Sequence, residues 1–216
     1  EHPVIRGPSA NPATYFQSRE ATNPWYDAVY DHVEKAMDDF AAATGRQYKP
    51  FEFYGHPQAE RVIVIMGSAI GTCEEVVDEL LSRGEKVGVL KVRLYRPFSA
   101  AHLLAALPES ARAVAVLDRT KEPGALAEPL YLDVMTALAE AFNRGERETL
   151  PRNIGGRYGL SSKEFGPECV LAIFSELQAA QPKPRFTVGI YDDVTNLSLP
   201  LGENTLPAEA KLEALF

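Results

Sequence analysis

Short unbroken apolar runs alternate along this chain with longer stretches in which apolar residues recur every three or four positions. Arg61–Met66, Lys86–Val92, Ala113–Leu117 and Phe186–Ile190 are runs of the first kind. Their length and β-branched content predict strands buried on both faces, as in a parallel sheet. Thr72–Arg83 predicts a helix, with Thr72 and Glu75 in capping-box positions and Gly84 closing it. Ser99–Leu107 predicts a short helix. Pro129–Asn143 predicts a long one, with Leu130, Val134, Ala137, Leu138 and Ala141 on one face. Another helix is expected from Ser162 to near Gln178, with Ser161 and Ser162 as its caps. Leu150–Tyr158 fits a fourth strand or a loop. Strands alternating with helices predict an α/β fold, a three-layer, mainly parallel sheet flanked by helices.

The flanks differ. Residues 1–24 are rich in Pro, Asn and Gly and lack periodicity, so they read as an extended arm or linker. From Trp25 the pattern turns helical: Trp25, Val29, Val33, Ala36, Met37 and Phe40 recur at helical steps, Asn23-Pro24 opens the run and Gly45 ends it. Trp25 is expected to pin this helix to the core. Lys49–Tyr54 alternates with aromatics, as a short strand does. The α/β domain is therefore expected over 25–200. A tail over 201–216 reads as loop until a short helix at Ala208–Phe216.

Composition narrows the partners. The net charge is -8 and no Lys/Arg run occurs, so nucleic acid is not an expected partner. No apolar stretch approaches the ~20 residues that span a bilayer. The first residues, Glu1 to Pro8, lack an initiator Met and a leader pattern, and read as the interior of a longer protein. Cys73 and Cys169 each fall within a helical pattern, which fits reduced, packed thiols in a cytoplasmic protein.

Three segments carry candidate chemistry. Gly67-Ser68-Ala69-Ile70-Gly71 follows a strand and opens a helix, where backbone N–H groups can hold a phosphate. Its spacing is neither the dinucleotide fingerprint nor a P-loop, so Gly67, Ser68 and Gly71 are weak anion-site candidates beside the plain reading of a structural turn. Arg93, Arg96, Asp118, Arg119 and Glu122 follow predicted strands and read as an interface cluster at one end of the sheet. Asp118, Arg119, Lys121 and Glu122 can satisfy one another, and no nucleophile or tuned base stands among them. Arg157 and Lys163 flank the glycine-rich Asn153–Gly159 segment and read as partners of nearby acids rather than of an anion. His2, His32, His56 and His102 lack metal-ligand spacing, and two cysteines cannot hold an iron–sulfur cluster. No catalytic or metal residue is expected.

Four phrases occur in a telling order: Arg61-Val-Ile-Val-Ile-Met-Gly-Ser68, Lys91-Val-Arg-Leu-Tyr-Arg-Pro-Phe98, Leu117-Asp-Arg-Thr-Lys-Glu-Pro-Gly124 and Asp192-Asp-Val-Thr195. With Tyr15–Trp25 and Arg157–Phe165, they resemble pyruvate:ferredoxin (flavodoxin) oxidoreductase from about Arg6 to Pro200. The resemblance implies the second domain of that family, similar in fold to the C-terminal domain of transketolase, as a fragment of a much longer polypeptide. It implies a parent that oxidatively decarboxylates pyruvate with coenzyme A to acetyl-CoA and CO2, and reduces ferredoxin or flavodoxin. Thiamine diphosphate, magnesium and iron–sulfur clusters are implied for the parent and none for this chain. The partners implied are the other domains of the polypeptide and, for the parent, a second copy. The chain alone is then expected to be a catalytically silent structural, interdomain piece. The alternative is a phosphate, nucleotide or coenzyme A module built on the Gly67–Gly71 turn.

Overall fold

A computed structural model describes residues 9–192 and 194–202. The expected helix at Ala208–Phe216 lies outside them. Two compact units divide the chain between Lys49 and Pro50. In the first, Pro12–Glu20 (α1) is helical where an extended arm is expected from sequence. Asn11 precedes a proline at the first helical position, a start that needs no buried face, and all nine residues are exposed, so no periodicity marks them. The expected single helix from Trp25 is divided into Asn23–Asp27 (α2) and Val29–Thr44 (α3), and the left-handed Gly45 closes α3. Trp25, expected to anchor its helix, is 79% exposed and is not buried within its own unit.

The second unit is the α/β body. Its strands are Phe51–Gly55 (β1), Arg61–Met66 (β2), Val87–Val92 (β3), Ala113–Asp118 (β4), Arg152–Arg157 (β5) and Arg185–Thr187 (β6). They form one sheet in the order β1-β3-β2-β4-β5-β6, with β1 antiparallel to β3 and the rest parallel. Its helices are Ile70–Ser82 (α4), Ala100–Ala106 (α5), Pro129–Asn143 (α6) and Pro167–Gln178 (α7). Leu150–Tyr158, open between strand and loop on sequence, supplies β5. The last strand is shorter than its apolar run predicts.

Two helix starts differ from the sequence reading. α4 begins at Ile70, with Ala69 as N-cap and no side-chain capping bond, so the Thr72–Glu75 box is not used. α7 begins at Pro167 behind Gly166. Ser161 and Ser162 belong instead to a tight turn with positive φ of 53° and 59°. Proline at the first turn outcompetes serine here because its φ is already helical.

Alternation along the strands sorts the core onto two faces. Ile63, Ile65, Val87, Val89, Ala115, Leu117 and Ile154 meet α4 and α7. α5 and α6 pack together on the opposite face, completing three layers. The connection β2–α4–β3 steps across the sheet one way and β4–α6–β5 the other, and their helices lie on opposite faces, so both have the same hand. β5–α7–β6 steps in the direction of β4–α6–β5, yet α7 lies beside α4. Its crossover therefore has the opposite hand, against a bias of about 98% for right-handed connections. Gly156 allows β6 to close this side: a Cβ there would lie 2.4 Å from the Phe186 ring and 2.5 Å from Leu117.

The antiparallel edge strand is held by charge. Lys91 on β3 is buried and its Nζ donates to Glu52 Oε1 on β1 at 2.5 Å and to Glu74 Oε1 on α4 at 2.7 Å. Arg93 also pairs with Glu52. A buried ammonium costs several kcal/mol in desolvation unless it is paired and hydrogen-bonded in this way. Burial pushes the Glu52 carboxyl up, but Lys91 and Arg93 outweigh it and hold the group below its ordinary 4.5. The stabilisation from Glu52 is thus complete above that value and is lost as the pH falls through the lower folded one. Thermal unfolding of the chain followed from about pH 5 to about pH 3 should show a falling Tm, with a shallower slope in Glu52→Gln. Equal slopes would contradict this role.

Candidate functional site

The carboxyl ends of the parallel strands gather the polar groups. Asp118 ends β4 and is 2% exposed. Its Oδ1 accepts from the Leu130 N–H at 2.9 Å and its Oδ2 from the Tyr131 N–H at 3.1 Å, so one carboxylate satisfies two free donors at the start of α6. Burial pushes its pKa up, and the two N–H donors oppose that shift. One residue before α6, the buried Glu128 Oε1 accepts from Arg157 Nε of β5 at 2.7 Å. β4, β5 and the start of α6 are therefore joined by two buried carboxylates.

The remaining expected interface residues follow β3 or β4, at one end of the sheet, and take different partners. Arg93 turns toward β1 through Glu52. Arg96 stacks its guanidinium 3.9 Å from the Tyr95 ring centroid and reaches Asp133 of α6 at 2.7 Å. Arg119 Nε donates to the Gly159 carbonyl at 3.0 Å. Glu122 is exposed on the loop before α6, and its carbonyl accepts from Lys121 Nζ at 3.1 Å. The expected mutual pairing of Asp118, Arg119, Lys121 and Glu122 does not form, because Asp118 is consumed by the α6 backbone. That burial also takes Asp118 off any surface.

A crevice of about 170 Å³ opens between the ends of β2, β4 and β5. Ser68, Ala69 and Thr72 line it from the β2 side, Arg119 from β4, and Tyr158, Gly159, Lys163 and Phe165 from beyond β5. Ser68 is thus the candidate from the glycine turn that reaches it. Gly67 and Gly71 do not line it, and a Cβ on either would meet open space. Tyr158, its hydroxyl pKa pushed up to about 12 mainly by burial, donates to the Met66 carbonyl at 2.9 Å. Gly159 has φ of 64°, and a Cβ there would sit 2.9 Å from Arg119 Nε. Glycine is required on both counts.

Among the described residues the Lys163 side chain makes no hydrogen bond or ion pair, whereas Arg157 is neutralised by Glu128. The two basic residues read alike in sequence therefore part company. A larger hollow of about 590 Å³ lies at the amino ends of β4 and β5, lined by Glu109, Arg112, Gly145, Glu146, Glu148 and Thr149. Its three carboxylates and its place away from the carboxyl ends make it the poorer ligand site, since open α/β sheets bind at the carboxyl ends. Cys73 and Cys169 are free and buried, and burial raises both thiol pKa values, that of Cys169 to about 11. No group of three or more potential metal ligands occurs among the described residues. None of their helices is long and apolar enough to cross a membrane.

Residues 59–160 match the family model for pyruvate:ferredoxin oxidoreductase core domain II. The chain is 87% identical over its whole length to a probable pyruvate-flavodoxin oxidoreductase of Escherichia coli K12, of which it spans 18%. It is 61% identical to the pyruvate-flavodoxin oxidoreductase of Rhodospirillum rubrum, over 91% of this chain and 17% of that protein. Among solved structures it is similar to a 2-oxoglutarate:ferredoxin oxidoreductase from Magnetococcus marinus, with a TM-score of 0.47 and 21% identity over 79% of this chain and 24% of that one.

Truncating the buried carboxylate at position 118 leaves two helix-start N–H groups without an acceptor. At about 1–3 kcal/mol for each buried unsatisfied group, Asp118→Ala should lower Tm by several degrees at least. Differential scanning calorimetry of the two chains reads this, and an unchanged Tm would contradict the assigned role.

Proposed function

The chain belongs to the pyruvate:ferredoxin oxidoreductase family as its core domain II, and from that premise we propose that it works as a structural, interdomain part of a pyruvate:ferredoxin (flavodoxin) oxidoreductase. The observation that carries this reading is full-length identity of 87% to a relative more than five times as long. In this reading the parent converts pyruvate and coenzyme A to acetyl-CoA and CO2 and passes electrons to ferredoxin or flavodoxin. Thiamine diphosphate, magnesium and iron–sulfur clusters belong to other domains, and the parent is a cytoplasmic homodimer. In this reading the domain runs over 25–200, with 25–49 falling in the first compact unit and the rest forming the α/β body, while 1–24 leads from the preceding domain and 201–216 toward the next.

The physical part of the proposal concerns which groups face the neighbours. Asp118 is buried and Arg93 is tied to Glu52, so both serve the fold. Arg96, Arg119 and Glu122 are exposed at the carboxyl end of the sheet. With them stand Leu126, 89% exposed, and Tyr191, 94% exposed, which gain from burial against another domain. The loop carrying Tyr191 and Val194 is shaped in advance: the Asp192 carboxylate accepts from the Thr195 hydroxyl and from the backbone N–H groups of Thr195, Leu197 and Val194, and these bonds, the hydroxyl's above all, hold its pKa well below the usual range. Such a loop meets a neighbour with little ordering cost.

Two assays test the proposal. The chain alone should show no pyruvate- and coenzyme A-dependent reduction of flavodoxin or ferredoxin, while the full-length parent does; turnover by the chain alone would make it a self-sufficient enzyme. In the parent, Glu122→Ala and Tyr191→Ala should lower activity several-fold, whereas in the isolated chain each should stay within about 0.5 kcal/mol of the parent sequence, as exposed substitutions do. Full activity in both parent variants would remove the interdomain role for this face.

A further inference from the structure

We propose that the crevice between the ends of β2, β4 and β5 is a binding site for the phosphate groups of a phosphorylated ligand. It lies where the sheet topology reverses. The chain leaves β2 toward β3 on one side, whereas it leaves β4 toward β5 on the other, and such divergence opens a cleft at the carboxyl ends of α/β sheets.

The lining carries the inference further than the position does. Arg119 and Lys163 come from different loops and line the same hollow. The chain has a net charge of -8, yet no carboxylate lines this crevice. Arg119 is held by its Nε on the Gly159 carbonyl, which leaves the two terminal nitrogens of the fork without an acidic partner among the described residues. That is the end of the guanidinium that engages phosphate oxygens bidentately. Lys163 adds an ammonium with no partner among the described residues, and the hydroxyls of Ser68 and Thr72 complete the donor set. Donors arriving from three loops suit the tetrahedral oxygens of a phosphoryl group better than the planar pair of a carboxylate.

Size limits the ligand. At about 170 Å³ the crevice is smaller than the ~300 Å³ or more of pockets that enclose small organic ligands, and suits one or two phosphoryl groups. A nucleoside or other organic part would lie outside, so inorganic pyrophosphate and ADP should bind with similar affinity. This site goes beyond the interdomain role, which stands or falls separately.

Isothermal titration calorimetry of the chain at low salt with pyrophosphate, ADP and acetate tests the site. The expected result is saturable binding of pyrophosphate and ADP, weakened about tenfold or more by Arg119→Ala and severalfold by Lys163→Ala, with acetate much weaker. Because Arg119 also braces the Gly159 loop, Lys163→Ala is the deciding variant; among the described residues its side chain bonds to nothing, so its Tm should not move. Lys86→Ala, at the amino end of β3 and outside the crevice lining, should bind as the parent chain does. Three results would each overturn the site: no saturable binding of either phosphate compound, equal affinity in Lys163→Ala, or acetate binding as tightly as pyrophosphate.

Discussion

A buried carboxylate facing the first N–H groups of a helix fixes the functional end of this molecule. A helix start leaves up to four backbone donors unpaired, and burying them without acceptors costs more than a small fold can spare. α6 begins against the sheet, out of reach of water, so its donors need an acceptor from within. Asp118, the last residue of the central strand β4, provides both oxygens. Because the acceptor sits on the strand, the helix start is locked to the strand end. Glu128 and Arg157 extend that lock to β5. The loop from Arg119 to Ala127 is pinned at both ends as a result, and Arg119 is carried to the rim of the crevice.

A second charge lock works at the opposite side of the sheet. β1 runs against the other strands and would expose an edge. Lys91 reaches both β1 and α4 from inside, and Tyr54 of β1 donates to Asp78 of α4 at 2.7 Å. The two charge-rich phrases after β3 and β4 thus have a shared logic. In each, the first charges hold the sheet together and the later ones face outward. That division separates what the fold needs from what a neighbouring domain or ligand can use.

The sheet and its helices were legible because apolar runs and helical periodicity record burial directly. α1 left no such record, since none of its residues is buried. Trp25 misled for the converse reason: a large apolar side chain on a helical period implies a partner, and within this chain it is exposed. The Thr72–Glu75 pair matched a capping pattern, but the helix starts earlier, at Ile70, so the pattern fell inside it. At the site, residue types were readable and their pairings were not. Asp118 looked like one charge among many, whereas its acceptors' partners lie 12 and 13 residues on, in another element. Arg157 and Lys163 looked equivalent, and only the approach of Glu128 tells them apart. The sequence could have pointed to Gly159 as special, since a glycine beside a strand end often marks a close approach.

Hydrogen–deuterium exchange of the Leu130 and Tyr131 amides in the native chain tests this account most directly. If the Asp118 lock holds the carboxyl end together, both amides should be among the slowest to exchange, opening only with the whole domain, despite lying in the first turn of a helix where fraying is normal. Fast exchange of these two amides, comparable to that of the exposed loop before α6, would contradict it.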